Sequence, residues 1–159
     1  MFRRVIGFIW ASPVTTVGLF LIGCASALRW CEWLGRKGDA LVWVLGPRAP
    51  KKLDVSMAWL GGVTLGNVVV LRSKPNTPLR AMVLRHEQEH VRQYMVLGVL
   101  QPLLFIAAYA GLSVCMHSHP FYDNPFEIDA RRAAGQTVDV IGAVKRAIAQ
   151  GKLKAPDRK

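Results

Sequence analysis

The sequence predicts a mainly α-helical chain with a small β element, an α+β domain behind an N-terminal apolar membrane segment. Three observations carry that expectation. Residues 5–28 hold no charged side chain, and roughly twenty apolar residues are enough for a helix to cross a bilayer. Residues 57–71 are rich in β-branched side chains, notably Val63-Thr64-Leu65 and Val68-Val69-Val70-Leu71. A helical stretch then carries His86-Glu87-Gln88-Glu89-His90, where positions four apart share one helix face. The chain has 159 residues, enough for one domain with a modest core.

The first apolar run is framed by Arg3-Arg4 and Arg29, and Pro13 is tolerable within a membrane helix. A retained, spanning segment over residues 1–30 is the leading expectation. Leu21-Ile22-Gly23-Cys24 also satisfies a lipobox, in which cleavage before Cys24 would leave a lipid anchor, although the apolar run continues past it. Cys24, Cys31 and Cys115 are odd in number and contain no C-x-x-C pair, so they indicate neither a disulfide framework nor a cysteine metal site.

Arg36-Lys37-Gly38-Asp39 reads as a turn, and Leu41-Val42-Trp43-Val44-Leu45 as a strand ended by Gly46-Pro47. Arg48, Lys51 and Lys52 read as a basic loop, and residues 57–71 as a strand pair bent at Gly61-Gly62 and Gly66. Asn76 or Thr77 is placed to cap a helix over residues 79–98 that buries Met82, Val83, Val91, Met95 and Val99. Gln101-Pro102 is expected to interrupt it, and residues 103–116 form a second uncharged stretch. Asn124-Pro125 then opens a short helix ended by Gly135. A last amphipathic helix is expected over residues 137–150, before a basic tail.

The chemistry concentrates in His86 and His90, which can present two imidazoles to one metal ion, with Glu87 beside them. A catalytic zinc takes three protein ligands and keeps an open position. Val96 stands where a third histidine would fall in H-E-x-x-H-x-x-G-x-x-H, so the third ligand must come from further along. Glu127 is the choice, on a short helix with the small Ala130 one turn on. Its rival role is a capping box, at the third helical position after Asn124. His117 and His119 are alternative ligands, and Tyr122 and Arg131 are candidate oxyanion partners whose duller roles are a packed ring and a salt bridge. Zinc so held would lower the pKa of water and polarise a carbonyl, with Glu87 taking the proton. The same five residues also satisfy the inverted pattern H-x-x-E-H, with Glu89 as base. Spacing does not choose; the direct form is favoured as the commoner one.

His86-Glu87-Gln88-Glu89-His90-Val91-Arg92-Gln93 followed by Asn124-Pro125-Phe126-Glu127-Ile128-Asp129-Ala130 resembles small bacterial proteins of the zincin superfamily, in which H-E-x-x-H-V-x-Q precedes N-P-F-E-x-x-A. The likeness extends to Thr64-Leu65-Gly66 and to the region of Ser12-Pro13. It implies a gluzincin-type site with His86, His90 and Glu127 on zinc and Glu87 as base, and a bacterial, inner-membrane location. Along the chain the expected division is a membrane segment at 1–30, a minimal zincin-like domain at 31–135, and a basic amphipathic helix and tail at 136–159. The chain is much shorter than well-studied gluzincin peptidases and lacks an evident substrate-binding domain.

Lys and Arg outnumber Asp and Glu by 21 to 10, a formal charge of +11, while hydrophobic residues make up 52%. Basic excess beside long apolar stretches points to anionic lipid as a partner. Nucleic acid is not expected, since no recognition motif or basic–aromatic interleaving is present. The leading function is therefore a membrane-associated zinc metallopeptidase acting on a peptide or protein. The alternatives are a membrane protein with a structural metal site and a metal-free basic adaptor at the membrane surface.

Overall fold

A computed structural model describes residues 2–115, 119–139 and 150–151. Its architecture is α+β: five helices and a four-stranded mixed sheet among the described residues. The chain runs through α1 (Phe2–Ala27), β1 (Cys31–Lys37), β2 (Ala40–Leu45), α2 (Lys51–Leu60), β3 (Gly62–Leu65), β4 (Val68–Leu71), α3 (Pro78–Leu97), α4 (Leu100–Cys115) and α5 (Pro125–Ala134).

In the sheet the order is β1-β2-β4-β3. Two hairpins, β1–β2 and β3–β4, join through the parallel β2–β4 pair, with Val42 opposite Val69 and Val44 opposite Leu71. Both hairpin turns therefore lie at one end of the sheet. Alternation along β2 and β4 gives each face its own apolar set. Ala40, Val42, Val69 and Leu71 pack with Val91 of α3, while Cys31 and Val68 pack with Ile22 of α1.

Helix α1 is docked along its whole length. Arg4 pairs with Asp39 at 3.5 Å, Gly7 meets Met95, and Ala11 is fully buried. Thr15 Oγ1 accepts the Asn67 N–H at 3.0 Å, Gly18 rests on Leu65 and Val68, and Ile22 enters the core. Spacings of three and four draw one helix stripe. The tightest point is Gly66, whose φ is +62° and where a Cβ would fall 2.5 Å from the Thr15 backbone nitrogen. Gly66→Ala is expected to cost on the order of 2–4 kcal/mol, the sum of left-handed strain and overpacking. Urea denaturation followed by tryptophan fluorescence measures it; wild-type stability in that variant would contradict the docking.

Several boundaries differ from the sequence expectation. The basic stretch at Lys51-Lys52 opens α2 instead of lying in a loop, and residues 57–60 belong to that helix and not to a strand. Strand β1 was not anticipated; its alternation is broken by a bulge between Trp33 and Gly35. Helix α3 is capped by Thr77 and stops at Gly98, both as expected, but the break is made at Gly98 itself and not by Pro102. Pro102 sits in the first turn of α4, where its missing N–H has no helical partner to lose. Across this break the chain turns by 112°, and Val99 is exposed instead of buried. Residues 137–139 are not helical, and the rest of the last expected helix, with the tail at 152–159, lies outside the described residues. Helix α1 is long and apolar enough to cross a membrane, a property that an N-terminal signal sequence shares.

Candidate metal centre

Helix α3 brings the motif to the sheet because its apolar stripe, Val83, Leu84, Val91 and Met95, packs on the face formed by β2 and β4. Glu87 and His90 are carried inward on the same side and are almost completely buried. Helix α5 supplies the third group. Asn124 caps it by accepting the Phe126 N–H at 3.1 Å, and Pro125 occupies the first helical position. The Asn124 N–H donates instead to the Phe121 carbonyl, so Glu127 is not used in a capping box. Its carboxylate turns towards α3.

There Glu127 Oε2 lies 3.3 Å from His86 Nε2, and Oε1 lies 3.3 Å from His90 Nε2. The two Nε2 atoms are 3.2 Å apart. On their far sides the rings are held by glutamine oxygens: His86 Nδ1 by Gln136 at 3.0 Å, His90 Nδ1 by Gln93 at 2.9 Å. A glutamine oxygen can only accept, so each Nδ1 carries its hydrogen and each neutral ring presents a bare Nε2 lone pair inward. Two such lone pairs and a carboxylate cannot share this space without a cation among them, either a proton or a metal ion.

The donor set fits zinc in number, type and spacing. Metal–ligand bonds of about 2.0–2.1 Å in a tetrahedron set its ligand atoms about 3.3–3.4 Å apart, close to the three distances observed. Histidines whose second nitrogen is fixed by an acceptor are the usual outer arrangement of such sites. Gln93 also donates to the Phe126 carbonyl at 3.0 Å, tying the His90 ring to α5. His86, His90 and Glu127 form the group able to hold a metal ion found among the described residues.

Electrostatics reflect the same crowding. Burial would raise the Glu127 carboxyl, but hydrogen bonds from His86 and His90 pull it down to about 2. Burial would lower His90, yet Glu127 and Glu87 together push it up. Burial raises Glu87 despite the opposing pull of His90 and Thr64. In the metal-free protein the Glu127 contribution to stability is present above the ordinary carboxyl value of 4.5 and is lost as pH falls towards 2. The His90 contribution is complete below the ordinary 6.5 and is lost as pH rises through its raised value; Glu87 acts in the same direction. Metal-free protein should thus be most stable in mildly acidic buffer near the ordinary carboxyl value of 4.5, losing stability above it as Glu87 and then His90 titrate. Denaturation across a pH series checks this, and stability that climbs steadily to pH 8 would contradict it.

The two motif glutamates part company. Glu87 Oε2 accepts from Thr64 Oγ1 at 2.6 Å, and β3 comes so close that a Cβ on Gly62 would fall 2.7 Å from Glu87 Cγ. Glu87 lines a cavity of about 240 Å³ together with His86, His90 and Glu127. Glu89 turns away to an ion pair with Arg92, beside a different groove. His119 stacks on Tyr122 and lies outside the three-residue group, while His117 is outside the described residues. Arg131 is buried, pairs with Glu127 at 3.5 Å, and donates to the Tyr122 carbonyl; neither Arg131 nor Tyr122 lines the cavity.

Three contributors went unassigned in the sequence. Thr64 and Gln136 are brought in from other elements, and no spacing rule marks them. Tyr94 belongs to α3 itself. It lines the cavity one turn after His90, with its phenol pushed up to about 12 by burial and therefore protonated. Its i+4 relation to His90 was the available signal. Phe105 and Ile106 of α4 and Phe121 supply the apolar walls. No family model, curated protein or solved structure matches the chain.

Proposed function

We propose that this chain is a membrane-associated zinc-dependent hydrolase, a metallopeptidase of zincin type, with His86, His90 and Glu127 holding the metal. The observation that carries the reading is the convergence of two bare Nε2 atoms and one carboxylate at 3.2–3.3 Å. Zinc bound there would supply Lewis acidity for a scissile carbonyl. Glu87 is the general base: Thr64 holds Oε2, which leaves Oε1 to accept a proton from the attacking water and pass it to the leaving amine. Its raised pKa suits both halves of that transfer. Protonated Tyr94 is available to donate to the oxyanion. The open, apolar-walled cavity beside the three ligands favours a catalytic centre over a closed structural one.

The test is to incubate the zinc-loaded protein with a proteome-derived peptide mixture and read new termini by mass spectrometry. Cleavage is expected, lost on chelation while the helical circular dichroism remains, and restored by zinc. If chelation instead unfolds a protein that cleaves nothing, the metal is structural.

A further inference from the structure

We propose that α1 does not cross the bilayer but lies along its surface, its outer stripe forming with α4 one seat on an anionic membrane. Length and composition alone allow α1 to span. Its docking does not. From Arg4 to Ile22 one stripe of the helix is engaged by the β hairpins and α3. A crossing in this arrangement would carry those elements into hydrocarbon with it. The β1–β2 hairpin bears exposed Glu32, Arg36 and Lys37, and the sheet ends in unpaired strand edges. Charges and open edges are both costly there.

The opposite stripe stands uncovered. Ile9 is 67% exposed and Phe20 71%. Large apolar side chains left open along a whole helix mark a contact surface. That surface runs on into α4. The Trp10 ring rests against Gly98 at the α3–α4 break, and beyond it Leu103 and Val114 project outward, Val114 being 83% exposed. Helix α4 has no charged residue. Trp10 and Tyr109, both partly exposed, are the residue types that settle at the lipid–water boundary. The occupant is lipid with anionic headgroups, because the chain carries a formal +11 and exposed Arg29 stands at the end of the outer stripe. This seat needs no metal, so it stands or falls apart from the zinc reading. It also sets the α4 wall of the cavity, Phe105 and Ile106, at the membrane boundary.

The experiment uses the full chain with its cysteines replaced, and single cysteines at positions 9, 17, 20 and 103 carrying an NBD fluorophore. Variants are bound to phosphatidylcholine–phosphatidylglycerol vesicles brominated at shallow or deep acyl positions. All four labels should shift to the blue and lose more fluorescence to shallow than to deep bromines, with similar depths at 9, 17 and 20. Wild-type tryptophan quenching that is reduced in Trp10→Phe supplies the same reading without cysteine replacement. A depth profile that is deepest at 17 and shallow at either end would establish a span and overturn the proposal. So would labels unquenched in every vesicle, whether the protein then runs as a dimer, with a second copy on this face, or as a monomer.

Discussion

Glu87→Gln should abolish hydrolysis while leaving the metal in place. Removing a positioned general base costs about 10²–10⁴ in rate, and the amide keeps the volume and the Thr64 hydrogen bond. The base is not one of the three converging donors, and its Oε2 accepts from Thr64. Zinc content should therefore equal that of the wild type. Turnover in Glu89→Gln should be nearly unchanged, since Glu89 pairs with Arg92 and does not line the cavity. Reversed results, with Glu89→Gln inactive and Glu87→Gln active, would assign the site to the inverted motif. Peptide cleavage and zinc assay of both variants decide between the two.

Glu127→Ala is expected to have the second large effect, this time on binding. It removes one ligand of three and leaves two imidazoles facing each other 3.2 Å apart with no anion between them. It also strips Arg131, which has only 5% of its surface exposed, of its carboxylate partner. Breaking a buried charge pair one-sidedly costs about 3–5 kcal/mol. Metal affinity and stability should fall together. Glu127→Gln keeps the volume and an acceptor oxygen, so it should recover stability more than affinity. Zinc affinity unchanged in both variants, with stability lost, would mean that Glu127 acts only as a structural ion-pair partner. Zinc titration against a chromophoric chelator, paired with urea denaturation, separates the two.

What the sequence made legible was local. The caps at Thr77 and Asn124, Pro125 at the start of α5 and Gly135 at its end act within a turn of themselves, and each stands where its residue type requires. His86 and His90 follow from helix geometry alone. The errors arose where an element's identity depends on its neighbours. Strand β1 is half exposed and bulged, and it becomes a strand only because β2 pairs with it. Residues 57–60 look as apolar as the strand that follows, and only the positive φ at Gly61 separates the helix from it. Pro102 drew the break that belongs to Gly98, because a proline in a first turn disrupts nothing. Spacing could not separate Glu87 from Glu89, since both flank the same histidine face. Packing separated them, one against β3 and one against Arg92. Of the two glutamines behind the histidines, Gln136 was illegible because it acts across a tertiary contact fifty residues from His86, whereas Gln93 holds His90 from three residues on along the same helix.

The most direct measurement is zinc per chain in purified, full-length protein, by elemental analysis, on the wild type and on His90→Ala. One zinc per chain in the wild type, lost in His90→Ala with the fold retained, is the predicted result. A wild type that holds no zinc after reconstitution would contradict the account. The short distances around His86, His90 and Glu127 would then be bridged by protons alone, and the chain would be a basic membrane-surface protein without a catalytic metal.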